Sequence, residues 1–150
     1  MEDKVKKAGD LFLKGYNCAQ SVFCAFCEDF NIDFETGLKM SSSLGGGMGR
    51  LREVCGAVSS MFLIAGLKYG YTENNNDIVK ANHYKLIQTL SEEFKKHTGT
   101  IICRELLNED KNGYIPQKRT KEYYESRPCL KIVEIAAKIT DDMLKGAYND

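Results

Sequence analysis

Four cysteines of this 150-residue chain stand where helices are predicted to begin. Cys18 follows Asn17, a residue type that commonly caps helices, and Cys55 opens an apolar segment. Cys103 starts a short helical pattern, and Cys129 follows a proline that permits the next helix to begin. A helix N-terminus presents unpaired N–H groups and the positive end of the helix dipole. This position favours the thiolate, the form of cysteine that binds metals and attacks disulfides.

The intervals between these cysteines are long, whereas zinc fingers and ribbons take their ligands from close pairs. The sequence therefore excludes those modules, but four helix ends can still converge at one end of a bundle. We expect the four sulfur atoms to lie together there, bordered by the glycine-rich loop described below. The alternative is that each cysteine is a small buried apolar residue.

Cys24 and Cys27 have the Cys-x-x-Cys spacing of redox and zinc motifs. They fall inside a predicted helix that runs uninterrupted to about Phe30, so their thiols receive no stabilisation from the helix dipole. Helical periodicity places Cys27 at the margin of the buried stripe and Cys24 outside it, on the side of Ser21. We predict that both are structural and that Cys27 contributes more to packing than Cys24.

A glycine-rich loop, residues 45–49, precedes Cys55. No strand comes before it and no Gly-Lys-Ser/Thr ends it, so it is not a phosphate loop. Its N–H groups, with Arg50 and Arg52, can form an anion-binding nest or donate to sulfur near Cys55. Close packing between two helices is an equally good interpretation. The candidate cofactor-binding residues are Gly45, Gly46, Gly47, Gly49, Arg50 and Gly56.

Helical periodicity runs through nearly the whole chain, with no strand alternation, repeat or linker. We predict one all-α domain over residues 1–150, a bundle of about five to seven helices with a Gly-rich loop. Leu38 and Met40 are expected to face inward, and Gly70 and Gly99 to close helices. The polar segment 111–128 is predicted to be irregular. The predicted helices cover approximately residues 2–14, 18–30, 34–43, 52–69, 77–97, 103–108 and 129–145.

The composition restricts the function classes. Lys and Arg together number 21, as do Asp and Glu, so the formal net charge is zero. This balance argues against nucleic acid and against a polybasic membrane surface as partners. The longest apolar stretch, residues 61–67, is far shorter than the ~20 residues of a membrane span, so no membrane insertion is expected. Without a secretory signal the expected location is cytoplasmic, where cysteines serve metal binding or redox chemistry.

The order of these motifs resembles the redox-active C_GCAxxG_C_C family over nearly the whole chain. The resemblance rests on Asn17-Cys18-Ala19-Gln20, the glycine loop, Cys55-Gly56-Ala57 and the isolated Cys103 and Cys129. Ser60 replaces the final glycine of the Cys-Gly-Ala-x-x-Gly motif. The resemblance implies redox activity without fixing a reaction or cofactor, and it selects the same four cysteines as the helix starts do.

The leading hypothesis is an electron-transfer protein whose four cysteines ligate an iron–sulfur cluster or zinc. Its catalytic and metal-binding residues would be Cys18, Cys55, Cys103 and Cys129, and its redox partner is not identified. The alternative is a thiol–disulfide protein in which pairs of these cysteines cycle. A third hypothesis is a non-catalytic domain that binds an anion or small molecule and has structural cysteines.

Overall fold

The computed structural model describes residues 2–148; Met1, Asn149 and Asp150 of the predicted domain lie outside the described residues. Within 2–148 the chain forms helices and no strand, so the all-α prediction is confirmed. Six helices of nine residues or more agree with the predicted bundle. The helices are α1 (Lys4–Leu13), α2 (Cys18–Phe26), α3 (Phe34–Ser42), α4 (Gly56–Tyr69), α5 (Asp77–Thr98), α6 (Cys103–Leu107), α7 (Lys121–Ser126) and α8 (Cys129–Leu144).

Helix α2 lies at the centre of the bundle. It packs against α1, α3, α4 and α8, and α5 covers α4 and α8 from outside. The sequence explains this position, because α2 is apolar almost all round, as expected of a helix with neighbours on several sides. Its Val22, Phe23 and Phe26 are fully buried, and they meet the apolar stripes of α4 and α8.

Side-chain caps begin several helices, and the predicted cap at Asn17 is confirmed. Asn17, Asp33 and Asn76 each accept a hydrogen bond from the backbone N–H three residues later, at 2.8, 3.1 and 3.1 Å. Gly99 closes α5 in the left-handed conformation, with φ of 87°. Gly70 closes α4, as predicted, but in an extended conformation with φ of −63°.

Two helix boundaries differ from the prediction. The α-helix α2 ends at Phe26 and continues as a 3₁₀ turn, Cys27–Phe30, which Asn31 closes with φ of 62°. Helix α4 begins at Gly56 and not near Arg52. Arg52 is left-handed and Val54 forms an isolated antiparallel bridge with Ile102, so tertiary pairing replaces the helical turn expected there.

The segment 111–128 is not wholly irregular, because it contains α7. Thr120 caps α7 by accepting from the N–H of Tyr123 at 3.1 Å, a local start signal that the prediction missed. Met40 is 49% exposed, so its predicted inward position is wrong. Helix α3 buries only a narrow face against α2, and that face carries Gly37 and Ser41.

No helix in residues 2–148 is both long and apolar enough to cross a membrane.

Candidate redox site

All four predicted cysteines line a single cavity of about 260 Å³. Cys18, Cys103 and Cys129 are the first residues of α2, α6 and α8, and Cys55 is the N-cap of α4. The prediction that each stands at a helix start is therefore confirmed. Cys55 and Cys103 are buried, whereas Cys18 and Cys129 are half-buried. A molecule that enters the cavity can reach the latter two most readily.

The Asn17-Cys18-Ala19-Gln20 motif forms a capping box that fixes the position of Cys18. The Asn17 side chain accepts from the Gln20 N–H at 2.8 Å, and the Gln20 side chain accepts from the Asn17 N–H at 3.1 Å. Both side chains also donate to α3, to the carbonyls of Ser42 and Leu38 at 3.1 and 3.2 Å. These bonds fix where α2 begins and therefore where Cys18 enters the cavity.

The bridge between Val54 and Ile102 brings Cys55 and Cys103 to the same face of the paired segments. The Cys55 N–H donates to the carbonyl of Ile101 at 2.8 Å, and the Cys103 N–H donates to that of Glu53 at 2.6 Å. Residues 55 and 103 are then diagonal neighbours, which in a regular ladder lie about 7–8 Å apart between Cα atoms. This separation slightly exceeds the usual range for a disulfide, about 4.4–6.8 Å.

Gly47 of the glycine-rich loop and Gly56 after Cys55 allow the cysteine-bearing segments to approach closely. A Cβ on Gly56 would lie 2.8 Å from the Cys18 Sγ and 2.7 Å from the Leu44 carbonyl oxygen. A Cβ on Gly47 would lie 2.6 Å from the Cys103 Cβ, and Gly47 also has φ of +68°. Close packing, one of the two interpretations of the glycine loop, therefore explains both positions.

Five of the six predicted cofactor-binding residues line the cavity. Gly45, Gly46, Gly49, Arg50 and Gly56 line it, whereas Gly47 is buried against Cys103. Their role in binding stays a prediction.

The loop between α3 and α4 contains three left-handed residues other than glycine. Met48, Arg50 and Arg52 have φ of 71°, 67° and 62°. Such conformations cost about 1–3 kcal/mol each and persist where surrounding contacts hold them. Arg50 donates to the Ile115 carbonyl and, at 2.9 Å, to Asn112. Strained backbone next to the thiols is typical of a functional loop.

Burial dominates the acidity of the cavity thiols. It raises the pKa of Cys55 and Cys103 and raises that of Cys129 to about 12. The first N–H groups of α4 lower the pKa of Cys55, and the Arg52 guanidinium lowers that of Cys103, but burial outweighs both. The predicted effect of a helix start on thiol acidity is therefore present at Cys55, but it is smaller than the opposing effect of burial.

Cys18 has a central place among the four thiols. After burial, the proximity of Cys18 is the next largest cause that raises the pKa of Cys55 and of Cys129, and it also raises that of Cys103. Cys18 is therefore close enough to the other three thiols for its charge to oppose their ionisation.

Arg52 connects the loop to Cys103. Its side chain is buried, with Nη1 donating to the Cys103 Sγ at 3.7 Å and Nη2 to Glu109 at 3.3 Å. Glu109 also pairs with Arg127 at 2.8 Å. Sequence reasoning missed Glu109 and Arg127; only the position of Arg127, two residues before Cys129, gave a local signal.

Cys24 and Cys27 lie away from the cavity, packed over Gly37 of α3. A Cβ on Gly37 would lie 2.6 Å from the Cys27 Sγ and 3.1 Å from the Cys24 Sγ. Both thiols are fully buried, and burial raises the pKa of each, that of Cys24 to about 12. The predicted position of Cys24 outside the buried stripe is wrong, because α3 covers that side of α2. The predicted uninterrupted helix is also wrong, since Cys27 begins the 3₁₀ turn.

Ser60, which replaces the last glycine of the motif, is fully buried against α2. Its hydroxyl donates to the Ala19 carbonyl at 2.7 Å. The serine therefore fits the close contact between α2 and α4 and adds a hydrogen bond one residue from Cys18.

The four thiols have the chemistry of a soft-metal site but not its geometry in this structure. Thiolate donors suit zinc and iron–sulfur clusters. Within residues 2–148, however, no three His, Cys, Asp or Glu side chains are placed so as to hold a metal ion.

Comparison with known proteins identifies the family. The sequence profile described as "Putative redox-active protein (C_GCAxxG_C_C)" matches residues 16–143, a range that includes the four cysteines and the glycine loop. No curated protein and no solved structure matches the chain. Because the profile covers well over half of the sequence, the chain belongs to the C_GCAxxG_C_C family of redox-active proteins.

Proposed function

We propose that this chain is a thiol–disulfide redox protein in which Cys18 and Cys55 form the working pair. The observation that carries the proposal is the packing of the Cys18 sulfur on Gly56, the residue next to Cys55, within a cavity that all four cysteines line. The half-buried Cys18 is the thiol that meets a substrate, and the buried Cys55 resolves the intermediate.

The proposed reaction is exchange with a disulfide, R–S–S–R. The Cys18 thiolate attacks one sulfur, the S–S bond breaks, and one RS⁻ leaves as a mixed disulfide forms. The Cys55 thiolate then attacks the Cys18 sulfur, displaces the second RS⁻ and closes a Cys18–Cys55 disulfide. The two thiol protons pass to the leaving thiolates, and the protein donates two electrons. An external dithiol returns the protein to its reduced form.

The donor set favours a second candidate function. Four cysteine sulfur atoms line one cavity, and four such ligands are enough to hold an iron–sulfur cluster or zinc. Cys18, Cys55, Cys103 and Cys129 would hold the group, which would supply electron transfer if it is an iron–sulfur cluster. Binding would require the thiols to move closer together than they are in this structure.

Anaerobic purification separates the two candidates. Iron, zinc, acid-labile sulfide and free thiols are measured before and after mild oxidation with a small disulfide. The proposal predicts metal-free protein that reversibly loses two thiols, and the loss disappears in Cys18→Ser. The matched control is the double variant Cys24→Ala and Cys27→Ala, which should keep the response. Stoichiometric metal without reversible thiol loss would support the second candidate, and absence of both would refute both.

A further inference from the structure

We propose that the cavity beside the thiols binds a small oxyanion. The first observation is the distribution of the cationic side chains. Four of the chain's five arginines line this cavity: Arg50, Arg52, Arg119 and Arg127. Among residues 2–148, no lysine, aspartate or glutamate lines it.

The second observation is an incompletely paired buried cation. Arg52 is only 5% exposed, and its Nε is buried without a hydrogen-bond partner in the described structure. Its other two guanidinium nitrogens contact a neutral thiol acceptor, Cys103, and one oxygen of Glu109. A buried charge is costly unless paired and fully hydrogen-bonded, so this guanidinium lacks part of its complement.

The charged groups around the cavity also include more cations than carboxylates. Glu109 is shared between Arg52 and Arg127, so one carboxylate faces two guanidinium groups. Arg119 lies 4.2 Å from the centre of the Phe12 ring and donates to the Phe12 and Tyr16 carbonyls, which are uncharged acceptors. Arg50 likewise contacts a carbonyl and an amide. A negatively charged occupant would compensate these cations.

The choice of arginine indicates the class of occupant. The planar guanidinium presents parallel N–H donors that match the two oxygens of a carboxylate, sulfate or phosphate, whereas lysine is a point charge. The half-buried Cys18 and Cys129 line the same cavity. The occupant of the cavity is therefore an anionic molecule that reacts with the thiols. That assignment rests on the proposed function, whereas anion binding itself does not.

Alkylation with a charged and a neutral reagent of similar size tests the inference. Mass spectrometry of the reduced protein gives the rate at which each reagent modifies Cys18, at constant ionic strength. The quantity of interest is the ratio of the iodoacetate rate to the iodoacetamide rate. An oxyanion site predicts a ratio several-fold above that of a small thiol in the same buffer. It also predicts that sodium sulfate slows iodoacetate more than sodium chloride does.

Arg127→Gln should lower this ratio several-fold. Lys138→Gln is the charge-matched control, because Lys138 lies outside the cavity and pairs only with Asp142, and its ratio should not change. The sulfate measurement on the unmodified sequence needs no variant and therefore does not depend on Arg127→Gln folding. A ratio equal to that of a small thiol, with no sulfate effect, would overturn anion binding. That result would leave the reversible loss of thiols, which tests the proposed function, unaffected.

Discussion

Replacing Gly56 by alanine tests whether Cys18 is packed against the start of α4. The added Cβ would lie 2.8 Å from the Cys18 Sγ and 2.7 Å from the Leu44 carbonyl oxygen, well inside the optimal contact distance of about 3.5–4.0 Å between carbon atoms. The backbone oxygen cannot turn aside as a side chain can. Overpacking of this kind costs about 1–3 kcal/mol, and the Cys18 thiol must also shift.

The matched control is Gly66→Ala in the same helix. A Cβ on Gly66 meets no atom within 4 Å. Alanine there should stabilise the protein by about 0.5–1 kcal/mol, because it lowers the conformational entropy of the unfolded chain. The same gain applies to Gly56 and partly offsets its overpacking. The difference in the free energy of unfolding between the two variants isolates the overpacking and should be about 1–3 kcal/mol.

Urea unfolding gives these free energies, and the rate of Cys18 modification by a thiol reagent reports the displaced sulfur. Gly56→Ala should be the less stable variant and should change the rate at Cys18, whereas Gly66→Ala should leave that rate unchanged. If Gly56→Ala proved as stable as Gly66→Ala and Cys18 reacted at the original rate, the packing that underlies the working pair would be refuted.

Three further outcomes are expected. Ser60→Ala should be about 1 kcal/mol less stable in urea unfolding than Ser59→Ala, because the Ser60 hydroxyl has a buried carbonyl partner and the buried Ser59 hydroxyl has none; equal stabilities would contradict this. The pKa of Cys129 rises on folding from 9.0 to about 12, so its contribution to the free energy of unfolding is fully present below pH 9 and is lost as the pH rises toward 12. A pH series should show this loss, and Cys129→Ala should reduce the slope. Cys24→Ala and Cys27→Ala should destabilise by similar amounts, since both side chains are fully buried, and a much larger effect at Cys27 in urea unfolding would disagree.

Local signals in the sequence were sufficient to predict every helix except α7, and to predict where the cysteines stand on them. Asn17 and Asp33 act as caps because their side-chain oxygens bond to nearby N–H groups, which needs no tertiary information. The start of α4 was predicted too early because residues 52–55 pair with a segment about 50 residues away. No local pattern encodes such a pairing.

The acidity of the thiols was predicted less well than their positions. Helix-start geometry correctly gave the direction of the N–H contribution to Cys55, but its size relative to burial depends on the neighbours that cover the sulfur. The arginines of the cavity were missed for a similar reason. Arg119 and Arg127 stand in a polar segment that resembles a solvent-exposed loop until the fold brings it over Phe12 and the thiols.

The central claim is that Cys18 and Cys55 exchange electrons as a pair. Its most direct test is peptide mapping by mass spectrometry after the reduced, metal-free protein has been oxidised with a small disulfide and the remaining thiols have been blocked. The account predicts a cross-linked peptide pair that joins Cys18 to Cys55 and disappears on reduction with a dithiol. A cross-link between Cys24 and Cys27 alone, or all six cysteines recovered as blocked thiols, would contradict it.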